Sequence, residues 1–132
     1  MLAKSMYEEM EDKRMNKVFT ETGLWLVEYE TGKVRIGLSP KGQDDLGEVS
    51  FFDPFDIETL TKDDSFCSIE ASKAVTELEA PLTGEIITFN EELLSVPENL
   101  NEEDDLLNWI LDLAVTDFNK DDFLKEDLPI ED

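Results

Sequence analysis

Ser68-Ile69-Glu70-Ala71-Ser72-Lys73-Ala74-Val75-Thr76-Glu77-Leu78-Glu79-Ala80-Pro81-Leu82-Thr83-Gly84 is the stretch that decides the fold. Apolar and β-branched residues alternate with polar ones on both sides of Ala71 to Lys73, the pattern of two half-buried strands. Phe66 to Glu70 and Ala74 to Glu79 are therefore expected to pair as a hairpin, with Pro81 to Gly84 as the next turn. Lys73 falls on the tight turn, between small neighbours. Between Lys62 and Lys120 it is the only basic residue, against 15 acids in the same span. An acylating enzyme must find one amine and hold it against an activated acyl group, and a lone lysine with a free side chain on a rigid turn suits that need. The same local pattern also fits a plain surface lysine paired with Glu70.

Outward from this hairpin the chain stays rich in β signals. Leu24 to Tyr29 reads as a strand, Thr31-Gly32-Lys33 as a turn and Val34 to Leu38 as the returning strand. Ser39 is placed to cap a short helix that begins at Pro40 and ends near Asp45. Glu48 to Phe52 is a strand that Asp53-Pro54 breaks, Ile57 to Thr61 a short extended piece, and Glu85 to Phe89 another strand. Asn90 to Pro97 reads as a turn with a helical piece. Leu106 to Leu113, around Trp109, is apolar and closes the domain. Leu46 to Phe52 weakly echoes Thr83 to Phe89, as two similar β halves would. Three regions follow: a helical extension over 1–16 with Leu2, Met6 and Met10 at helical spacing, a globular domain over 17–115, and an acidic tail over 116–132 that is either a packed helix or disordered.

Charge and composition exclude much. The net charge is −23, so nucleic acid and anionic lipid are poor partners and basic proteins good ones, and self-repulsion favours a monomer. Histidine is absent, which removes the commonest general base and transition-metal ligand and excludes Ser–His and Cys–His chemistry. No catalytic residues and no metal site are assigned. The clusters Glu102–Asp105 and Asp121–Asp122 lack the pattern of an EF-hand loop and read as solvated acids. Cys67, the single cysteine, reads as a buried apolar residue rather than a redox nucleophile. Phe51, Phe52 and Phe55 read as core and turn packing rather than as a binding platform. No apolar run approaches the roughly 20 residues of a membrane span. Met1 to Lys17 has no signal-peptide pattern. With one cysteine, these features point to the cytoplasm.

From Val18 to Leu113 the chain resembles the glycine cleavage system H protein family. The resemblance rests on Trp25 after the first β signal, Gly37, Leu46-Gly47-Glu48, the Glu70-to-Ala74 tip, Pro81-x-x-Gly84, Asn90, Pro97, and Asn101 eight residues before Trp109. Biotin carriers share the hairpin but use a Met-Lys-Met tip, whereas here Ser72 and Ala74 flank the lysine. The resemblance implies a mainly β barrel-sandwich hybrid with peripheral helices and a carrier that is not an enzyme. It implies lipoate in amide linkage on Lys73, with Glu70 and Ala74 helping the modifying enzyme recognise the tip. In the family the arm visits the decarboxylase, the aminomethyltransferase and dihydrolipoyl dehydrogenase, and a lipoate ligase or lipoyl transferase loads it.

Two departures stand out. H proteins usually carry a His-Glu pair before the first Trp, where this chain has Gly23-Leu24. They usually carry Pro-Tyr-Gly before the late Trp, where this chain has Glu102 to Asn108. Some bacteria encode divergent H-like proteins beside a lipoate ligase, a macrodomain protein and a sirtuin-type ADP-ribosyltransferase. The departures point towards that branch, in lipoate relay or an oxidative-stress response with ADP-ribosylation of the carrier, and away from ordinary glycine cleavage. A reading from another class is an acidic protein-interaction adaptor whose lysine stays unmodified.

Overall fold

The computed structural model describes residues 16–130. Nine strands run through it: β1 (Val18–Phe19), β2 (Leu24–Glu30), β3 (Lys33–Leu38), β4 (Val49–Pro54), β5 (Thr59–Leu60), β6 (Ser65–Ala71), β7 (Val75–Glu79), β8 (Gly84–Phe89) and β9 (Trp109–Ala114). Three short helices decorate them: α1 (Pro40–Leu46), α2 (Glu92–Ser95) and α3 (Asp105–Asn108). Single 3-10 turns occupy Pro97–Asn101 and Lys120–Asp122. One sheet has six strands in the order β1-β2-β3-β9-β8-β5, the other three in the order β4-β6-β7, and all pairings are antiparallel. Two such sheets packed face to face, with helices at the periphery, make the barrel-sandwich hybrid.

The core follows from strand alternation. Leu26, Ile36 and Leu111 lie abreast across β2, β3 and β9, with Val34 opposite Leu113 one row away, and all five are fully buried. The small sheet answers with Phe52 opposite Ile69 and with Cys67 opposite Leu78. Burying each large side chain of this kind stabilises the fold by about 1.5–3 kcal/mol relative to exposure. On the outer face of the large sheet Trp25 donates from Nε1 to Asn108 Oδ1 at 2.9 Å. Arg35 forks onto Asp112 at 2.8 and 3.0 Å, and its guanidinium lies 3.9 Å from the centre of the Trp109 ring. Such a two-pronged, half-buried pair is among the stronger ionic contacts.

The expected strands, the Thr31–Lys33 turn and the Ser39 cap are present, and Ser39 Oγ accepts the Gly42 N–H at 3.3 Å. Three details differ. Pro54 does not break β4 but is its last residue, opposite Cys67; β4 is an edge strand, where a missing N–H costs no ladder bond. The extended piece at Ile57 to Thr61 shrinks to the two residues of β5. Leu106 to Leu113 is divided between the end of α3 and β9, and β9 is an interior strand between β3 and β8.

Residues 116–130 run back over the domain as an irregular strap. Phe19 and Leu124 exchange two backbone hydrogen bonds of 2.8 and 2.9 Å, and Phe118 stacks on Phe123 with ring centres 5.7 Å apart. Asp127 then accepts from the Ser39 hydroxyl at 3.0 Å and the Lys41 N–H at 2.8 Å, so its carboxylate sits at the positive end of α1. The expected N-terminal helix over 1–16 lies outside the described residues but for Asn16. Among the described residues no helix is long and apolar enough to cross a membrane.

Candidate functional site

The β6–β7 hairpin turns on Ser72 and Lys73, with the Ala71 N–H bonded to the Ala74 carbonyl at 3.0 Å. The turn is tied to the chain between α1 and β4 from both sides. Ser72 N–H donates to the Glu48 carbonyl at 2.9 Å, and Ser72 Oγ accepts the Glu48 N–H at 2.9 Å. Lys73 N–H donates to the Leu46 carbonyl at 3.0 Å. Gly47, at φ 78°, permits this approach, because a Cβ there would fall on Ser72 Oγ. Asn101 braces the same loop from behind: its Nδ2 donates to the Gly47 carbonyl at 2.8 Å and its Oδ1 accepts the Val49 N–H at 2.8 Å. The side-chain amide thus fills the place of a neighbouring strand.

The Lys73 side chain projects outward, 57% exposed. It is neither free nor paired with Glu70. Its Nζ donates to the Asp44 carbonyl at 2.7 Å and stands 3.9 Å from the Asp44 carboxylate, at the C-terminal turn of α1. A cation is favoured at that end of a helix, and at the surface such a contact contributes well under about 1 kcal/mol. It therefore positions the amine without locking it. Beside the lysine lies an open groove of about 490 Å³ whose walls include Asp44, Glu48, Glu98 and Glu102. Glu70 points to solvent from β6, and Ala74 is half-buried at the start of the return. A long acyl chain on Lys73 has both an exposed anchor and a groove to lie in, so the residues present fit lipoate.

The other singled-out residues divide. Cys67 is fully buried in the core, and burial pushes its thiol well above the usual range, against any thiolate role. Phe52 is core as expected, but Phe51 is 52% exposed on the outer face of the small sheet. No group of three His, Cys, Asp or Glu side chains with metal-binding geometry occurs among the described residues. The sequence signals the roles of Asp44 and Ser72 only through the helix that ends just ahead of Gly47 and the hydroxyl next to the lysine.

Both departures have structural accounts. Gly23, at φ 92°, meets Gly42 of α1 backbone to backbone, and a Cβ on Gly42 would fall on the Gly23 carbonyl oxygen. No side chain at 23 fits without moving α1. The Glu102–Asn108 segment leads into and includes α3, with Asp104 capping the Leu106 N–H at 2.9 Å and Asn108 Nδ2 donating to the Glu102 carbonyl at 2.8 Å.

A barrel-sandwich scaffold displaying a lysine at a braced hairpin turn is the architecture of lipoyl and biotinyl carriers. The model of the Glycine cleavage H-protein family matches residues 17–130. The glycine cleavage system H protein of Psychromonas ingrahamii is 38% identical over 104 residues, 78% of this chain and 83% of that protein. That of Vibrio parahaemolyticus is 37% identical over 109 residues, 82% and 86% of the two chains. The probable H protein of Thermococcus kodakarensis is 38% identical over 82% and 79%. The crystal structure of a glycine cleavage system H protein from Mycobacterium marinum superposes with a TM-score of 0.66 at 23% identity, covering 78% of this chain and 88% of that one, a likeness of fold. The chain belongs to the glycine cleavage H-protein family, whose members are lipoyl carriers and not enzymes.

Proposed function

We propose that Lys73 is the lipoyl attachment residue and that the protein shuttles intermediates or electrons between partner enzymes. The observation that carries this reading is the only basic residue between Lys62 and Lys120, held at a braced two-residue turn beside a groove. Loading would follow from a lipoyl adenylate: the Lys73 amine attacks the acyl carbon, the C–N bond forms, the bond to the AMP oxygen breaks and the ammonium proton goes to solvent. Glu70 and Ala74 flank the amine for recognition by the ligase or transferase. Lipoate's dithiolane supplies the redox and leaving-group chemistry. Asn101 keeps the lysine turn and the groove in register.

The same reading places the protein in a divergent branch outside ordinary glycine cleavage, in the cytoplasm, with a dihydrolipoyl dehydrogenase-type oxidoreductase and with macrodomain or sirtuin-type ADP-ribosylation enzymes as partners. Its support is the Gly23–Gly42 contact, which leaves no room for the usual side chain at 23, and the acidic run Glu102–Asp105 leading into α3 in place of Pro-Tyr-Gly. Intact mass after incubation with lipoate ligase, ATP and lipoate is the test. Wild type should gain one lipoyl group and Lys73→Arg none; no gain on wild type leaves the acidic-adaptor reading. Efficient glycine–bicarbonate exchange by the lipoylated protein with glycine decarboxylase would remove the divergent assignment.

A further inference from the structure

Phe51, Glu70 and Val75 lie directly opposite one another on β4, β6 and β7. Opposed residues of antiparallel strands project to the same side, so the three form one row across the outer face of the small sheet. Phe51 is 52% exposed and Val75 71%, whereas the next residue of β4, Phe52, is buried with its partner Ile69. The row runs one step in from the turn that bears Lys73. Phe51 and Val75 stand about 10 Å apart, two strand spacings, with the Glu70 carboxylate between them. The same three strands carry Asp53, Glu77 and Glu79 and no lysine or arginine. No packing need explains two large apolar side chains in solvent beside the Lys73 turn.

We infer that this face is the docking surface of the enzyme that acylates Lys73, with Phe51 and Val75 as apolar anchors and the acids as a rim. The inference rests on the assignment of Lys73 as the acylated residue. The occupant it fits is a protein with an apolar depression and a basic border, placed so that its activated acyl group reaches over the end of the hairpin. Charge complementarity selects that class: a chain of net charge −23 repels acidic surfaces and attracts basic ones. Apolar side chains at the centre of a contact carry most of its affinity, while rim charges set the encounter rate and its salt dependence. The groove walled by Glu98 and Glu102 is not part of this row, so docking here leaves it open.

Wild type and Phe51→Ser/Val75→Thr are compared as substrates of a lipoate ligase with ATP and lipoate, followed by intact mass. Both side chains are exposed, so the double variant keeps its fold, which circular dichroism checks. KM for the carrier should rise about ten-fold or more, with kcat at saturation little changed, as expected when central anchors are lost. Ile87→Thr, which removes a comparably exposed apolar residue from β8 of the other sheet, should leave both constants unchanged. KM for wild type should also rise with ionic strength. Equal KM for wild type and the double variant overturns the docking face while leaving Lys73 as the acylated residue. No mass gain on wild type overturns both. A wild-type dimer that becomes a monomer in the double variant assigns the face to a second copy, and the inference fails.

Discussion

A methyl group on Gly42 would fall on the carbonyl oxygen of Gly23 and press on Leu38. Alanine is the better helix former by about 1 kcal/mol, so propensity alone predicts that Gly42→Ala stabilises α1. The packing predicts the opposite, because neither backbone can yield without lifting α1 from the β1–β2 turn. We expect Gly42→Ala to lower stability by about 1–3 kcal/mol, read from the urea midpoint. The lysine proposed to carry the arm was legible in the sequence: Lys73 stands alone among acids on a turn that Ala71 to Ala74 announces. Its surroundings were not. Asp44 is 29 residues away and Asn101 reaches across 54 to Gly47, and no local pattern signals contacts made by tertiary closure. Phe51 was misjudged for the same reason, since alternation assigns faces only when register is known, and a bulge between Val49 and Phe51 shifts it.

Strands and their turns were largely readable because alternation and glycine placement are local. The position of β9 was not, because a short apolar run fits an edge strand and an interior one equally. The strap over 116–130 was harder still. Its acidic composition predicts solvation, yet Phe118 and Phe123 pack against the core and Asp127 completes the capping of α1. Removing that carboxylate deletes two hydrogen bonds at the start of α1. Asp127→Ala should therefore cost about 1–3 kcal/mol. Hydrogen exchange should show faster opening of α1 amides, while β6 and β7 amides keep their protection.

Across the whole molecule, the net charge of −23 works against compactness as well as against wrong partners. Screening relieves such repulsion, so Tm should rise by several degrees between about 0.01 and about 0.5 M NaCl, where the Debye length falls from about 30 Å to under about 5 Å. A thermal melt that falls with salt would mean that pairs such as Arg35–Asp112 outweigh the repulsion. The interior place of β9 has a consequence of another kind, in the order of synthesis. β2 and β3 leave the ribosome early and β8 later, but nothing joins them into one sheet until residues 109–114 emerge. The last strand among the described residues is the seam of the fold. A chain cut short before it cannot close, so a partly made product is exposed to degradation before it can be loaded as a working carrier.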